Sequence, residues 1–162
     1  MDIVFNAGEG CALRENLMPL ERSYQVKSQI GMRRTAMIIV NRDRTGIINT
    51  AHGSEIRPLI DRTTSGVTQC SLAEEMLPPG CAVTPHHHRE IEEIYYVVSG
   101  RGLMTVGDET REVGAGDAVY VPRGQRHTLE NTGDQPIKLL VACGPAFFYE
   151  DEILDAHQER LP

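Results

Sequence analysis

Residues 80–100 read GCAVTPHHHREIEEIYYVVSG, and residues 116–131 read GDAVYVPRGQRHTLEN. In an extended chain, residues i and i+2 share a face, so His86 and His88 point one way and His87 the other. Two imidazoles on one face make a chelate for a first-row metal. Glu93 follows His88 at an odd offset, so on one continuous strand it faces away from the pair. The polar stretch Arg89–Glu92 must therefore turn the chain before Glu93 can join the histidines. Chemistry alone leaves Glu90 and Glu92 as rival ligands, and the apolar residues on both faces of Ile94–Val98 do not settle the choice. His127 follows Pro122-Arg123-Gly124-Gln125-Arg126, where Pro and Gly set a tight turn. A lone histidine there is ordinarily a packed core residue. It gains weight only as a fourth ligand.

Outward from these stretches the chain reads as short strands. Ile94–Ser99 is rich in β-branched and aromatic residues and is turned by Gly100–Gly102. Leu103–Val106 and Thr110–Val113 flank a hairpin signal at Gly107–Glu109. Asp117–Val121, His127–Asn131 and Ile137–Cys143 follow, each bounded by turn residues. Upstream, Met37–Val40, Gly46–Thr50, Ala51–Asp61 and Val67–Leu77 have strand character, with Asn41–Thr45 as a polar turn and Pro58 marking an edge or bend. Glu150–His157 predicts a short terminal helix. About ten short strands with no βαβ alternation predict a closed or double-sheet β structure. Residues 1–35 are weakly patterned. Leu13, Leu17 and Leu20 suggest a short helix ending near Pro19 within an N-terminal extension. The expected organisation is an extension over 1–35, a barrel over 36–149 and a tail over 150–162.

The 162 residues suit one domain. The hydrophobic fraction of 40% and charged fraction of 24% fit a globular chain. With no Trp and three Phe, the core must rest on aliphatic side chains. A net charge of −7 argues against a nucleic-acid surface. The arginines at 33, 34, 42 and 44 read as a solvated loop or a subunit contact. Cys11, Cys70, Cys81 and Cys143 form no C-x-x-C pair, which disfavours a zinc ribbon or a dithiol redox site. Cys81 reads as a small buried filler. The N-terminus has neither a basic n-region nor a long apolar run, so the expectation is a cytoplasmic protein with reduced thiols and no membrane segment.

The segment Gly80–Gly100 resembles the first motif of the cupin superfamily: Gly80, five residues, His86-His87-His88, four residues, Glu93, six residues, Gly100. Gly116–Asn131 resembles the second: Gly116, five residues, Pro122-Arg123-Gly124, two residues, His127, three residues, Asn131. The close match covers about fifty residues, and fifteen residues separate the motifs, as in small single-domain cupins. The resemblance implies an all-β jelly-roll barrel. It implies His86, His88, Glu93 and His127 as ligands of one divalent transition metal per chain: iron, manganese, nickel, cobalt or zinc. It favours Glu93 over Glu92 because only Glu93 leaves six residues before Gly100. Gly80, Gly100, Gly116, Pro122, Gly124 and Asn131 would be turn residues. It also implies a homodimer, to which the extension and the apolar run Ala146–Tyr149 would contribute.

Three neutral imidazoles and one carboxylate around a divalent ion give a site charge near +1. In an octahedral ion two positions stay open for a bidentate oxygen ligand, often anionic. A small oxygen-rich substrate, anionic or dicarbonyl, is therefore expected. The reaction classes are a dioxygenase, or an isomerase, cyclase or lyase, with a non-catalytic binding or sensing module as the alternative. By alternation with Glu93, Tyr95 and Val97 face inward. Tyr95, Arg57 and Gln69 are pocket candidates, with Ser71 as a further contact. Met104 and Val106 are expected on the pocket wall and His52 on an exposed mouth loop. Of the adjacent Glu74 and Glu75, at most one can reach the pocket.

Overall fold

The computed structural model describes residues 37–154. Residues 1–36 and 155–162 lie outside the described residues, and with them Leu13, Leu17, Leu20 and Cys11. Eleven strands are present among those described: β1 (Ile48–Asn49), β2 (Glu55–Ile60), β3 (Ser71–Leu77), β4 (His86–His88), β5 (Glu92–Ser99), β6 (Arg101–Val106), β7 (Glu109–Gly114), β8 (Ala118–Val121), β9 (His127–Glu130), β10 (Ile137–Gly144) and β11 (Glu152–Leu154). They form two antiparallel sheets. One has the order β1-β2-β3-β10-β5-β8, the other β11-β4-β9-β6-β7. This is the expected jelly-roll architecture, two sheets packed face to face.

The inward faces supply the core. In β5 the burial alternates strictly, with Glu93, Tyr95 and Val97 inside and Ile94, Tyr96 and Val98 outside. Leu77, Val97, Ile137 and Leu139 from one sheet meet Leu129, Met104 and Val113 from the other. Cys81 is buried in this cluster, as expected of a small filler. Met104 belongs to it and Val106 packs against it, and neither lines the cavity beside the buried histidines, where the sequence placed them as pocket wall.

Two glycines carry structural demands that explain the motif spacing. Gly100 turns β5 into β6 with φ +88°, and a Cβ there would stand 2.8 Å from the Ile137 backbone. Gly124 has φ +76°, and its N–H donates to the His88 carbonyl at 2.6 Å. That bond ties the turn before His127 to the strand that carries His86 and His88. Asn131 is buried and acts as a clamp. Its Nδ2 donates to the carbonyls of Leu77 and Gln135, while its Oδ1 accepts from Gly133 N–H.

Two expected elements differ. Met37–Val40 forms no strand, and Met37 and Ile39 are exposed; among the described residues no strand pairs with them. A 3-10 turn at Arg42–Arg44 follows, and Arg42 reaches across to Glu74 at 2.5 Å. At the other end the expected helix over Glu150–His157 is replaced, within the described residues, by a 3-10 turn at Tyr149–Asp151 and strand β11. So short a segment is a marginal helix by itself. The open edge of β4 offers it backbone partners instead, in the register Glu152↔His88 and Leu154↔His86.

Candidate metal centre

The topology brings the two motifs together. His86 stands opposite His127 in the β4–β9 pair, and His88 follows two residues along the same face. Glu93 begins the inward face of β5 in the opposing sheet, opposite Cys143 on β10 and Val121 on β8. The odd offset between His88 and Glu93 is thus resolved by a change of sheet through residues 89–91. One donor atom from each of His86, His88, Glu93 and His127 lies within 4.8 Å of all the others, and all four residues are buried. Glu92 is exposed, as is Glu90, so neither rival joins the cluster.

Each ring is oriented by its surroundings. His86 Nδ1 faces the Thr84 carbonyl at 2.7 Å, and His127 Nδ1 faces the Gln125 carbonyl at 3.0 Å. A carbonyl only accepts, so both rings carry their proton on Nδ1 and turn Nε2 toward the cluster. His127 Nε2 lies 2.9 Å from Glu93 Oε2. A neutral imidazole has one N–H, already given to Gln125. The close approach of Nε2 to a carboxylate therefore calls for a second proton or a cation between them. His88 is more telling still: both of its nitrogens are buried and neither has a hydrogen-bond partner. Its Nε2 is 3.5 Å from Glu93 Oε2 and its Nδ1 is 3.5 Å from Asp151 Oδ2. Orphaned buried polar atoms are rare and need a partner. The donor set of three imidazoles and one carboxylate fits a first-row divalent ion.

Burial and charge act on each group differently. Burial, aided by the neighbouring His127, pulls His86 down to about 4. Burial also works against charging His88, but the Glu93 carboxylate outweighs it and leaves His88 raised. Burial would raise Glu93, yet hydrogen bonds from His127 and His88 hold it far below the usual carboxylate range. Burial, then Glu93, pushes Tyr95 well above an ordinary phenol, so it stays a neutral O–H. Its ring packs edge-on against His127 with centroids 5.9 Å apart.

A cavity of about 250 Å³ opens beside the cluster. Ile48, Ile56, Leu72, Val141 and Phe147 give it an apolar wall, while His52, Glu75, Ser71 and Tyr95 supply polar groups. Tyr95 and Ser71 therefore line the cavity as expected. Arg57 and Gln69 do not. Arg57 stands opposite Glu74 on the strand face away from Ile56 and Pro58, and Gln69 is exposed ahead of β3. Of the two adjacent acids, Glu75 reaches the cavity and Glu74 is held by Arg42. His52 is not exposed but half-buried and lines the cavity too.

Three residues escaped the sequence reading. Cys143 places Sγ 3.3 Å from Glu93 Oε1 and stands directly across from it. Asp151 is buried and accepts from the backbone N–H groups of Glu90 and Ile91 at 2.9 and 3.0 Å, next to His88. Glu152, also on the cavity, lies 4.0 Å from His86 Nε2. Cys143 reaches the cluster only through the register of β10 against β5. Nothing local in the sequence marked Asp151.

The fold and the paired motifs define the class. The cupin domain family matches residues 73–143, and the chain belongs to the cupin superfamily. It is 42% identical over 107 residues to the uncharacterized protein MJ1618 of Methanocaldococcus jannaschii, spanning 65% of this chain and 86% of that one. Among solved structures, the polyketide cyclase RemF of Streptomyces resistomycificus superposes with a TM-score of 0.58 at 29% identity, covering 72% of this chain and 89% of RemF. A predicted oxalate decarboxylase from Thermotoga maritima superposes with a TM-score of 0.61 at 24% identity, covering 67% and 99%, a likeness of fold.

Proposed function

We propose that His86, His88, Glu93 and His127 hold one divalent transition metal and that the protein is an enzyme acting on a small oxygen-rich substrate, anionic or dicarbonyl. The observation that carries this reading is the buried His88 ring, whose two nitrogens lack hydrogen-bond partners beside a carboxylate and two further imidazoles. A bound divalent metal would supply Lewis-acid polarisation of a substrate carbonyl or enolate. The chain's own groups do the rest. Thr84 and Gln125 fix the tautomers of His86 and His127, the apolar wall excludes water, and the Tyr95 phenol offers a neutral donor at the cluster.

The polyketide cyclase among the similar structures supports non-redox chemistry of the cyclase, isomerase or lyase kind over a dioxygenase. The test uses metal-loaded protein with a panel of oxalate, 2-hydroxy acids and 1,3-diketones, followed by calorimetry and an oxygen electrode. The reading expects metal-dependent binding and turnover without oxygen uptake. Binding that is equal in the metal-free protein would sink it. Oxygen uptake coupled to substrate loss would move the assignment to the dioxygenases, and metal-dependent binding without turnover would move it to the sensing module.

The same reading includes a homodimer. Ile94, Tyr96, Val98 and Tyr120 are all more than 40% exposed on one outer face, with Ile94 and Tyr120 paired across β5 and β8. Contiguous exposed apolar residues mark contact surfaces. Light scattering of a size-exclusion peak should give twice the chain mass, and a monomer at high concentration would refute it. Among the described residues no helix is long and apolar enough to cross a membrane.

A further inference from the structure

The cavity has a second polar end that the metal cluster does not use. Glu75 lies on the inward face of β3, flanked in register by Ile56 on β2 and Leu139 on β10. Sheet alternation gives that row to apolar residues, yet a carboxylate occupies it. Glu75 is 5% exposed, lines the cavity, and its Oε1 is buried with no hydrogen-bond partner. A buried acceptor of this kind is costly to leave unmade. Arg42 and Lys138 approach the neighbouring Glu74. His52 stands beside Glu75, with Nε2 3.6 Å from Oε1, beyond hydrogen-bond reach.

His52 is itself held in place. The Thr84 N–H faces its Nδ1 at 3.4 Å, which leaves Nε2 as the proton-bearing nitrogen, 2.9 Å from Ser54 Oγ. Thr84 also turns its carbonyl to His86. Contacts of 3.4 and 2.7 Å on either side of one residue keep His52 Nδ1 and His86 Nδ1 within about 10 Å of one another. Ile48, Ile56 and Val141 line the same cavity. The cavity thus joins a metal-binding end to a buried carboxylate acceptor through largely apolar walls.

We infer that Glu75, with His52 beside it, is a specificity-determining residue that accepts a hydrogen bond from a substrate hydroxyl. The substrate class is then a small molecule with adjacent chelating oxygens at one end and a hydroxyl at the other. This rests on the metal reading proposed above, and the test separates the two. The probes are 2-hydroxybenzoate, which chelates and has no distal hydroxyl, and 2,4-dihydroxybenzoate, which has one.

Both are titrated calorimetrically into cobalt-loaded wild type, Glu75→Leu, Glu75→Gln and His127→Ala, with metal content and melting temperature measured for each. Wild type should bind the dihydroxy probe about tenfold more tightly or better, the worth of a hydrogen bond to a charged acceptor. Glu75→Leu should bring the ratio of the two affinities near one while retaining its metal and its affinity for 2-hydroxybenzoate. Glu75→Gln, which preserves shape and an acceptor oxygen, should fall between. A ratio near one in wild type, or one unchanged in both Glu75 variants, would overturn the inference and leave the metal reading standing. If neither probe binds cobalt-loaded wild type, the inference is overturned and the metal reading stands; if wild type takes up no cobalt, or His127→Ala holds as much, the metal reading fails and this inference falls with it.

Discussion

Replacing Asp151 with alanine removes a carboxylate that does two tasks at once. It accepts from Glu90 N–H at 2.9 Å and Ile91 N–H at 3.0 Å, and so holds the three-residue turn that carries the chain from β4 into β5. It also faces His88 Nδ1 at 3.5 Å. The side chain is 3% exposed, so water does not easily take its place. Losing partners for two amides costs about 1–3 kcal/mol each, partly offset because a buried charge is removed with them; a net loss of about 2–4 kcal/mol is expected. For a chain of 162 residues that lowers Tm by roughly 4–16 °C. The turn sets the distance between His88 and Glu93, so metal affinity should fall as well, by about 10–100-fold, the usual effect of removing a group that orients a ligating histidine. The assay is a thermal melt of the metal-free protein together with a competitive zinc titration against a chelating dye. Glu150→Ala, one residue away and exposed, is the comparator. If Asp151→Ala matches Glu150→Ala in both Tm and zinc affinity, the assigned role of Asp151 is wrong.

The metal-free protein should lose stability in mild acid. The folded state holds His86 at about 4 against 6.5 for an unfolded histidine. Its contribution is therefore present in full above pH 6.5 and declines as pH falls toward 4, by at most about 3 kcal/mol. His88, raised in the folded state, works in the opposite sense and flattens the fall. Urea melts at pH 7.5 and pH 5 should show the loss in wild type and a smaller one in His86→Asn, and equal pH slopes would contradict the reading. At Gly102 an added Cβ would stand 2.2 Å from the Glu130 carbonyl oxygen and 2.8 Å from Ile137 Cδ1. Backbone cannot yield there, so Gly102→Ala should cost roughly 3 kcal/mol, read as a lower urea midpoint. A midpoint unchanged from wild type would show that the strand relaxes.

Much of this molecule was legible in its residues because strand alternation and turn chemistry are local. His86 and His88 share a face by the two-residue period, and Gly100 and Gly124 sit where positive φ is required. The grouping of Glu93 with the histidines was less legible, since it depends on a change of sheet between β4 and β5. The resemblance selected Glu93 over Glu92, and the burial alternation of β5 agrees. What could not be read was long-range pairing. Glu150–Leu154 looks helical alone and becomes a strand because β4 has an open edge. Arg57 and Gln69 have the chemistry of substrate contacts, but their strand face and exposure keep them off the cavity. Cys143 and Asp151 meet the cluster only through register and fold, over separations of 50 and 63 residues from Glu93 and His88.

The most direct test of the central claim is elemental analysis of protein purified without added metal and then dialysed, beside His127→Ala prepared identically. The four-donor site predicts about one transition-metal ion per chain in wild type, restored by cobalt or manganese if lost on dialysis, and a large loss in the variant. A wild type that takes up no metal even after reconstitution, or a variant that holds as much as wild type, would contradict it.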